Sequence, residues 1–229
     1  AKKSHKTIAI SEQTHQDIID YLKIDAQKVE VIYQGCAASF KEVIEASDLE
    51  MVRVKYNLPE KFILNVGTIE PRKNALTIVK SIKNTEIPLL LIGVKTSYYS
   101  EIDSYIEKNK MTNVFYLSNI SQFELACIYR LATLFVYPSI FEGFGIPIIE
   151  ALISKTPVIT NQNGCFPEAG GPNSIYIDPL NETLLAEKIN ELLQSENLRK
   201  EIAENGFAFA EKFHKNKLSE QLLDLYKKT

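Results

Sequence analysis

The stretch Leu134–Thr160, LFVYPSIFEGFGIPIIEALISKTPVIT, changes periodicity twice within one short span. Leu134–Tyr137 is a short apolar run with the β-branched and aromatic character of a buried strand. A glycine-bearing loop follows. Pro147 then suits the first position of a helix, where its missing N–H costs nothing. A second buried strand is expected at Pro157–Thr160. Strand, helix and strand in this order form a crossover unit, and such a crossover joins parallel strands.

The same alternation extends in both directions. Short strands are expected at Thr7–Ile10, Val29–Tyr33, Phe62–Val66, Leu89–Ile92, Val114–Leu117 and Ile175–Ile177. Helices are expected at about Glu12–Tyr21, Ser47–Tyr56, from Asn74, Tyr98–Asn109, Ser121–Arg130, and over most of the chain after Ile177. Ser47-x-x-Glu50 and Ser121-x-x-Glu124 read as capping boxes. Strands that are apolar throughout, without polar alternation, are those covered by helices on both faces. The fold class is therefore α/β, a Rossmann-like doubly wound parallel sheet. In such sheets ligands sit outside the carboxyl ends of the strands, which directs attention to the loops after Val66, Ile92, Leu117, Tyr137 and Thr160.

Bulk properties exclude several classes. The 229 residues are 45% hydrophobic and 24% charged with a net charge of −3, which supplies no basic footprint for nucleic acid. Cys36, Cys127 and Cys165 are scattered, as in a protein of a reducing, cytoplasmic compartment. No segment has the length and apolarity of a membrane span. His5, His15 and His214 share no metal-ligand spacing, no Asp-x-Asp occurs, and no metal site is expected. The aromatic set Phe115, Tyr116, Phe123, Tyr129, Phe135 and Tyr137 is expected in the core.

Three loops carry candidate chemistry. In NVGTIEPRKN, Gly67 lets backbone approach a ligand, and Arg72 and Lys73 precede Asn74, a candidate N-cap. The two cations read either as a solvated pair or as a diphosphate clamp beside a helix start. In the opening stretch, Glu142 and Glu150 have seven residues between them. The amides of Gly145 and Ile146 fall at the positive end of a helix, and Glu150 lies one turn in, where its carboxylate suits a cis-diol such as a ribose. One glutamate alone reads as surface chemistry; two flanking a glycine-rich helix start read as a site. In NQNGCFPEAGG, Pro167 and Glu168 read as a helical turn facing the same cleft, beside glycines that suit plain turns.

At these residues the sequence resembles glycosyltransferase family 4 (group 1), retaining nucleotide-sugar enzymes with two Rossmann-like domains, the GT-B architecture. The matching pieces are IAISEQTHQDIIDYLKIDAQKVEVIYQGC, NVGTIEPRKN, ISQFELACIYRLATLFVYPSIFEGFGIPIIEAL and TPVITNQNGCFPEAGG…YIDP. The resemblance implies that residues 35–213 are the donor-binding domain. It implies that 1–34 are the last part of an otherwise absent N-terminal acceptor domain and that 214–229 form a crossover helix. It assigns Arg72, Lys73 and Glu142 to catalysis, the cations to the diphosphate and Glu142 to the donor sugar. Gly67, Thr68, Phe144, Gly145 and Ile146 would contact the donor, Asn119 and Ile120 the base, and Glu150 the ribose. Thr68 stands where many relatives carry Arg, and Ser118 where many carry Gly.

The implied activity is metal-independent, hexosyltransferase-type transfer from a GDP- or UDP-sugar, without a cofactor, to a glycan or lipid-linked acceptor in polysaccharide biosynthesis. An isolated donor half is expected to be inactive without its acceptor domain, supplied in cis or as a separate subunit. Peripheral association with the inner face of a membrane fits such an acceptor. Alternatives are a non-catalytic nucleotide-sugar binding module, a subunit of a split enzyme, and a sugar-nucleotide epimerase.

Overall fold

The computed structural model describes residues 4–213 and 215–228; His214 lies outside the described residues. The chain runs β1 (Thr7–Ala9), α1 (Glu12–Leu22), β2 (Val29–Val31), α2 (Ala46–Lys55), β3 (Ile63–Val66), α3 (Ala75–Ser81), β4 (Leu89–Ile92) and α4 (Tyr99–Lys108). It continues through β5 (Val114–Leu117), α5 (Gln122–Leu131), β6 (Leu134–Tyr137), α6 (Ile146–Ile153), β7 (Val158–Asn161), α7 (Phe166–Gly170) and β8 (Ile175–Ile177). Three helices follow, α8 (Glu182–Gln194), α9 (Glu196–Ala210) and α10 (Lys215–Lys228). Among the described residues, β1 and β2 form a small parallel pair of their own, and β3–β8 form one parallel sheet in the order β5-β4-β3-β6-β7-β8. This is the doubly wound order, and the expected fold class is correct.

Both faces of each central strand are apolar because each meets its own helical layer. Leu64, Leu90, Ile92, Phe135 and Tyr137 point to one side, packed with Tyr129 of α5 and Ile148 and Leu152 of α6. Ile63, Leu89, Leu91, Leu134 and Val136 point to the other, packed with Ile78 of α3 and Leu185 and Ile189 of α8. Two inward sets at period two, neither meeting water, read as a continuous apolar run.

Several local expectations need correction. The box at the start of α2 is formed two residues earlier than Ser47-x-x-Glu50, with the Glu45 amide donating to Asp48 at 3.0 Å. The Ser121–Glu124 box is formed as expected, the Ser121 amide donating to Glu124 at 3.1 Å. Asn74 stands at the head of α3 but in a left-handed conformation (φ 57°), without capping it through its side chain. That amide instead donates to the Pro179 carbonyl at 2.6 Å and is oriented by Thr77. Phe115 is 47% exposed, because β5 is the edge strand and this side chain has no layer above it.

The order in which the chain adds strands reverses between β3 and β6, which remain parallel, and there the ladder is cut short. The two strands pair only at Ile63–Leu134 and Leu64–Phe135. Beyond that, buried Asn65 donates its side-chain amide to the Val136 carbonyl at 2.8 Å, in place of a further backbone rung. The strands splay apart with their polar groups satisfied, which opens a crevice at the switch point.

Candidate functional site

The loops after β3 and β6 meet over this crevice. The first carries Gly67, Thr68, Arg72 and Lys73, and the second Glu142, Phe144 and Gly145. They are tied by backbone as well as charge, since the Ile140 amide donates to the Arg72 carbonyl at 2.7 Å. The Asn161 side chain donates to the Ser139 carbonyl at 2.9 Å, holding the second loop from the β7 side.

Glu142 is the centre of the cluster. Its Oε1 accepts from Lys73 Nζ (2.5 Å), the Ser139 hydroxyl (2.8 Å), the Tyr137 hydroxyl (2.9 Å) and Arg72 (2.9 Å). Burial alone would raise this carboxyl, but the Lys73 and Ser139 hydrogen bonds and the Lys73 charge outweigh it and hold it below its ordinary range. The tyrosine is forced upward by burial and by Glu142, so it remains a neutral donor. The two cations are unequal. Lys73 is 13% exposed and Arg72 46%, so the lysine pair is the less screened and the stronger. Arg72 also reaches Glu70 at 2.8 Å and the Phe141 carbonyl at 2.9 Å. A Cβ built at Gly67 would lie 3.6 Å from Lys73 Cε, which places the first loop's glycine directly against the lysine.

Glu150 sits on α6 with one polar partner among the described residues, the Tyr129 hydroxyl, which donates to Oε2 at 3.1 Å. Burial raises its carboxyl to about 7 despite that bond. Both glutamates show the same asymmetry. Glu142 Oε2 and Glu150 Oε1 have no protein partner among the described residues, and neither is sealed in the interior. Each carboxylate keeps one oxygen tied to the protein and one open.

Gly145 begins α6 with φ 112°, a left-handed conformation that a side chain disfavours. It turns the chain so that the first amides of α6, which have no carbonyl four residues back, face out of the helix end. Phe144 does not present its ring to the crevice. The ring is buried against Tyr33 (5.2 Å) and Phe213 (5.3 Å), and only its backbone is available. Thr68 and Asn119 are exposed at the carboxyl ends of β3 and β5, Asn119 in a left-handed conformation (φ 57°). Ile120 packs against the core instead of standing free.

Sequence reasoning passed over the supporting residues. Tyr137, Ser139, Asn65 and Asn161 belong to strands or loop backbone, and nothing in their spacing announces a shared partner. Glu168 was expected to face the cleft; its carboxylate instead accepts from the Glu12 amide (2.7 Å) and the Gln13 amide (3.0 Å) at the head of α1. Ser11 and Thr14 of that same turn donate to the Gly143 carbonyl at 2.7 and 3.0 Å. The β1–α1 connection therefore grips the loop that bears Glu142. The signal for it was faint: a Ser11-x-x-Thr14 start whose partners lie more than a hundred residues away.

Comparison with known proteins follows the same lines. Residues 48–209 match the family model for glycosyl transferases, group 1. The chain is 26% identical over 228 residues to an O-antigen chain mannosyltransferase B of Escherichia coli, covering 96% of this chain and 60% of that protein. It is 31% identical over 213 residues to an uncharacterized glycosyltransferase of Methanocaldococcus jannaschii, covering 92% and 56%. The chain thus spans somewhat more than half the length of these relatives. Among solved structures, the Anabaena protein HepE in complex with UDP-glucose superposes with a TM-score of 0.90 at 20% identity, covering all of this chain and 65% of that one. At that identity the likeness speaks for the fold.

Proposed function

This chain belongs to the group 1 glycosyl transferases, and from that premise we propose that it is the donor-binding half of a retaining transferase using a nucleotide-diphosphate sugar. The observation that carries the proposal is the half-satisfied carboxylate of Glu142 paired with Lys73 and Arg72 at the switch-point crevice, with a second half-satisfied carboxylate, Glu150, on the helix that follows. The relatives' names point to a mannosyl donor and to polysaccharide as the product class.

In this reading the diphosphate lies beside Lys73, Arg72 and the first amides of α6. Breaking the sugar–phosphate bond places positive charge on the anomeric carbon and negative charge on the departing diphosphate. Fixed cations and helix-end amides stabilise that leaving group without reorganising at the moment of reaction, and the reading needs no metal. Glu142 Oε2 accepts from a sugar hydroxyl, while its Oε1 keeps Lys73 in place. Glu150 Oε1 accepts from the ribose, and Asn119 and Ile120 border the base. The acceptor enters on the face that the diphosphate leaves, and the leaving phosphate takes its proton, which accounts for a site without a separate nucleophile. A glycan or lipid-linked acceptor would be held by a domain beyond this chain.

The test is calorimetry with GDP, UDP and their mannose and glucose derivatives, alongside a transfer assay. Micromolar binding of one nucleotide series, without transfer by this chain alone, is the expected result. Failure of every nucleoside diphosphate to bind would refute the proposal. Transfer by the chain alone would refute its assignment as a half-enzyme.

A further inference from the structure

We propose that Tyr129 is a positioning residue for nucleotide binding, holding Glu150 Oε2 so that Oε1 is presented to the ribose hydroxyls. The inference rests on the donor-site reading above and adds a residue to it.

Tyr129 is fully buried on α5 and meets α6 one turn in from its start, where Glu150 lies. Its ring is fixed on two sides, by Phe40 at 5.4 Å and 69° and by Phe135 at 5.1 Å and 52°. Its own carbonyl accepts from the Thr156 hydroxyl at 2.6 Å, which pins the helix at this residue. The only polar partner of the phenol among the described residues is Glu150 Oε2, at 3.1 Å. A phenylalanine would fill the same apolar space, as Phe40 and Phe135 do beside it. What the hydroxyl adds is direction, since an ionised carboxylate only accepts, and a phenol held neutral by burial keeps the proton that it must donate to it.

An unheld glutamate on a helix would sample several rotamers and lose that freedom on binding. The tie to Oε2 settles this beforehand, and leaves Oε1 open for a vicinal diol. The hydroxyl also favours the charged carboxylate against the opposing effect of burial. The other titratable groups acting here are Cys36, from the segment after β2, and Tyr137 of β6, which acts on Tyr129. Both thiol and phenol are pushed upward by burial, so neither changes charge where Glu150 does.

The experiment compares Y129F with the unmodified chain, titrating each with the ribonucleoside diphosphate that binds best and with its 2′-deoxy and 3′-deoxy forms, from pH 5.5 to 8.5. In the unmodified chain the ribonucleotide is expected to bind about tenfold tighter than either deoxy form, with affinity rising as pH passes about 7. Y129F is expected to lose that preference to within about threefold and to shift the rise to higher pH. Deoxynucleotide affinity should stay nearly unchanged. A purely structural tyrosine would lower thermal stability while leaving the ribose preference intact, and that result overturns the proposal. Loss of all binding, ribose or deoxyribose alike, in a folded Y129F also overturns it. Absence of any ribose preference in the unmodified chain removes the donor-site reading of Glu150 and this inference with it; preference retained in Y129F removes this inference alone. Should Y129F not fold, 3-fluorotyrosine placed at position 129 keeps the packing and makes the phenol a stronger donor. The rise must then move to lower pH, and an unmoved midpoint refutes the role.

Discussion

Replacing Glu142 by glutamine should separate two roles that the cluster combines. The substitution keeps the shape and leaves an amide oxygen to accept from Ser139, Tyr137 and Lys73, while removing one negative charge. The carboxylate is 11% exposed and Lys73 13%, so the lysine loses its only close counter-charge among the described residues in a poorly solvated place. Hydrogen bonds to charged partners contribute about 1.5–3 kcal/mol net, and leaving one partner of a fully buried pair unmatched costs about 3–5 kcal/mol. The retained amide and the partly wet Arg72 reduce this, to about 2–3 kcal/mol less unfolding free energy for E142Q at pH 7. Nucleotide binding should move the other way. A like charge beside the diphosphate is gone, and at an effective dielectric constant of about 20–40 that is worth about 1–2 kcal/mol, roughly five- to thirtyfold tighter binding of GDP or UDP. Urea unfolding and calorimetry on the same preparation measure both, and transfer by the complete enzyme should fall although its nucleotide binds better. If E142Q binds the diphosphate more weakly, then Lys73 and Arg72 do not face that group and the clamp is wrong. An unchanged urea midpoint would show that the cluster contributes nothing to the fold.

Other perturbations follow from the same geometry. Between pH 4.5 and about 7 the folded chain keeps a proton on Glu150 that the unfolded chain has lost, so this group makes stability fall as pH rises through the window, by at most about 3 kcal/mol. E150Q should flatten that slope in urea titrations taken at several pH values, and a slope left unaltered would contradict the burial of this carboxyl. A Cβ at Gly143 would come within 2.9 Å of Ile10 Cδ1, the movable end of a side chain. G143A should therefore cost about 1 kcal/mol, with I10V recovering most of it, and strictly additive effects in the double mutant would argue against the contact. E168A removes the acceptor for two amides at the head of α1 and should cost about 1–2 kcal/mol, visible as faster hydrogen exchange in α1 than in α6.

Much of the architecture was legible because it depends on local periodicity. Strands β4, β5, β6 and β8 lie where their apolar runs placed them, and the others differ by a residue or two at an end. The failures were of a different kind. The box at α2 moved because Glu45 and Asp48 offer the same spacing as Ser47 and Glu50 two residues earlier, and the folded helix uses theirs. Asn74 left its capping role because Pro179, far away in sequence, supplied a buried carbonyl for its amide. Glu168 turned to α1 because two free amides of a helix start were within reach.

The candidate site divides along the same line. Spacing singled out Glu142 and Glu150 beside a glycine-bearing helix start, whereas Arg72 and Lys73 read equally as a solvated pair until the family resemblance gave them a role. Which groups they bind was decided only when the chain folded. The splayed β3–β6 junction brings loops about seventy residues apart into contact, and the carboxylate of one meets the ammonium of the other. Tyr129 lies beyond any pattern, because its neighbour Glu150 is twenty-one residues on and the distance that matters, 3.1 Å, exists only between packed helices. Periodicity reports which face of an element is buried, whereas hydrogen-bond partners across elements depend on how those faces stack. The fold class was therefore written in the order of residues, and the state of each carboxylate, one oxygen held and one open, in the tertiary structure.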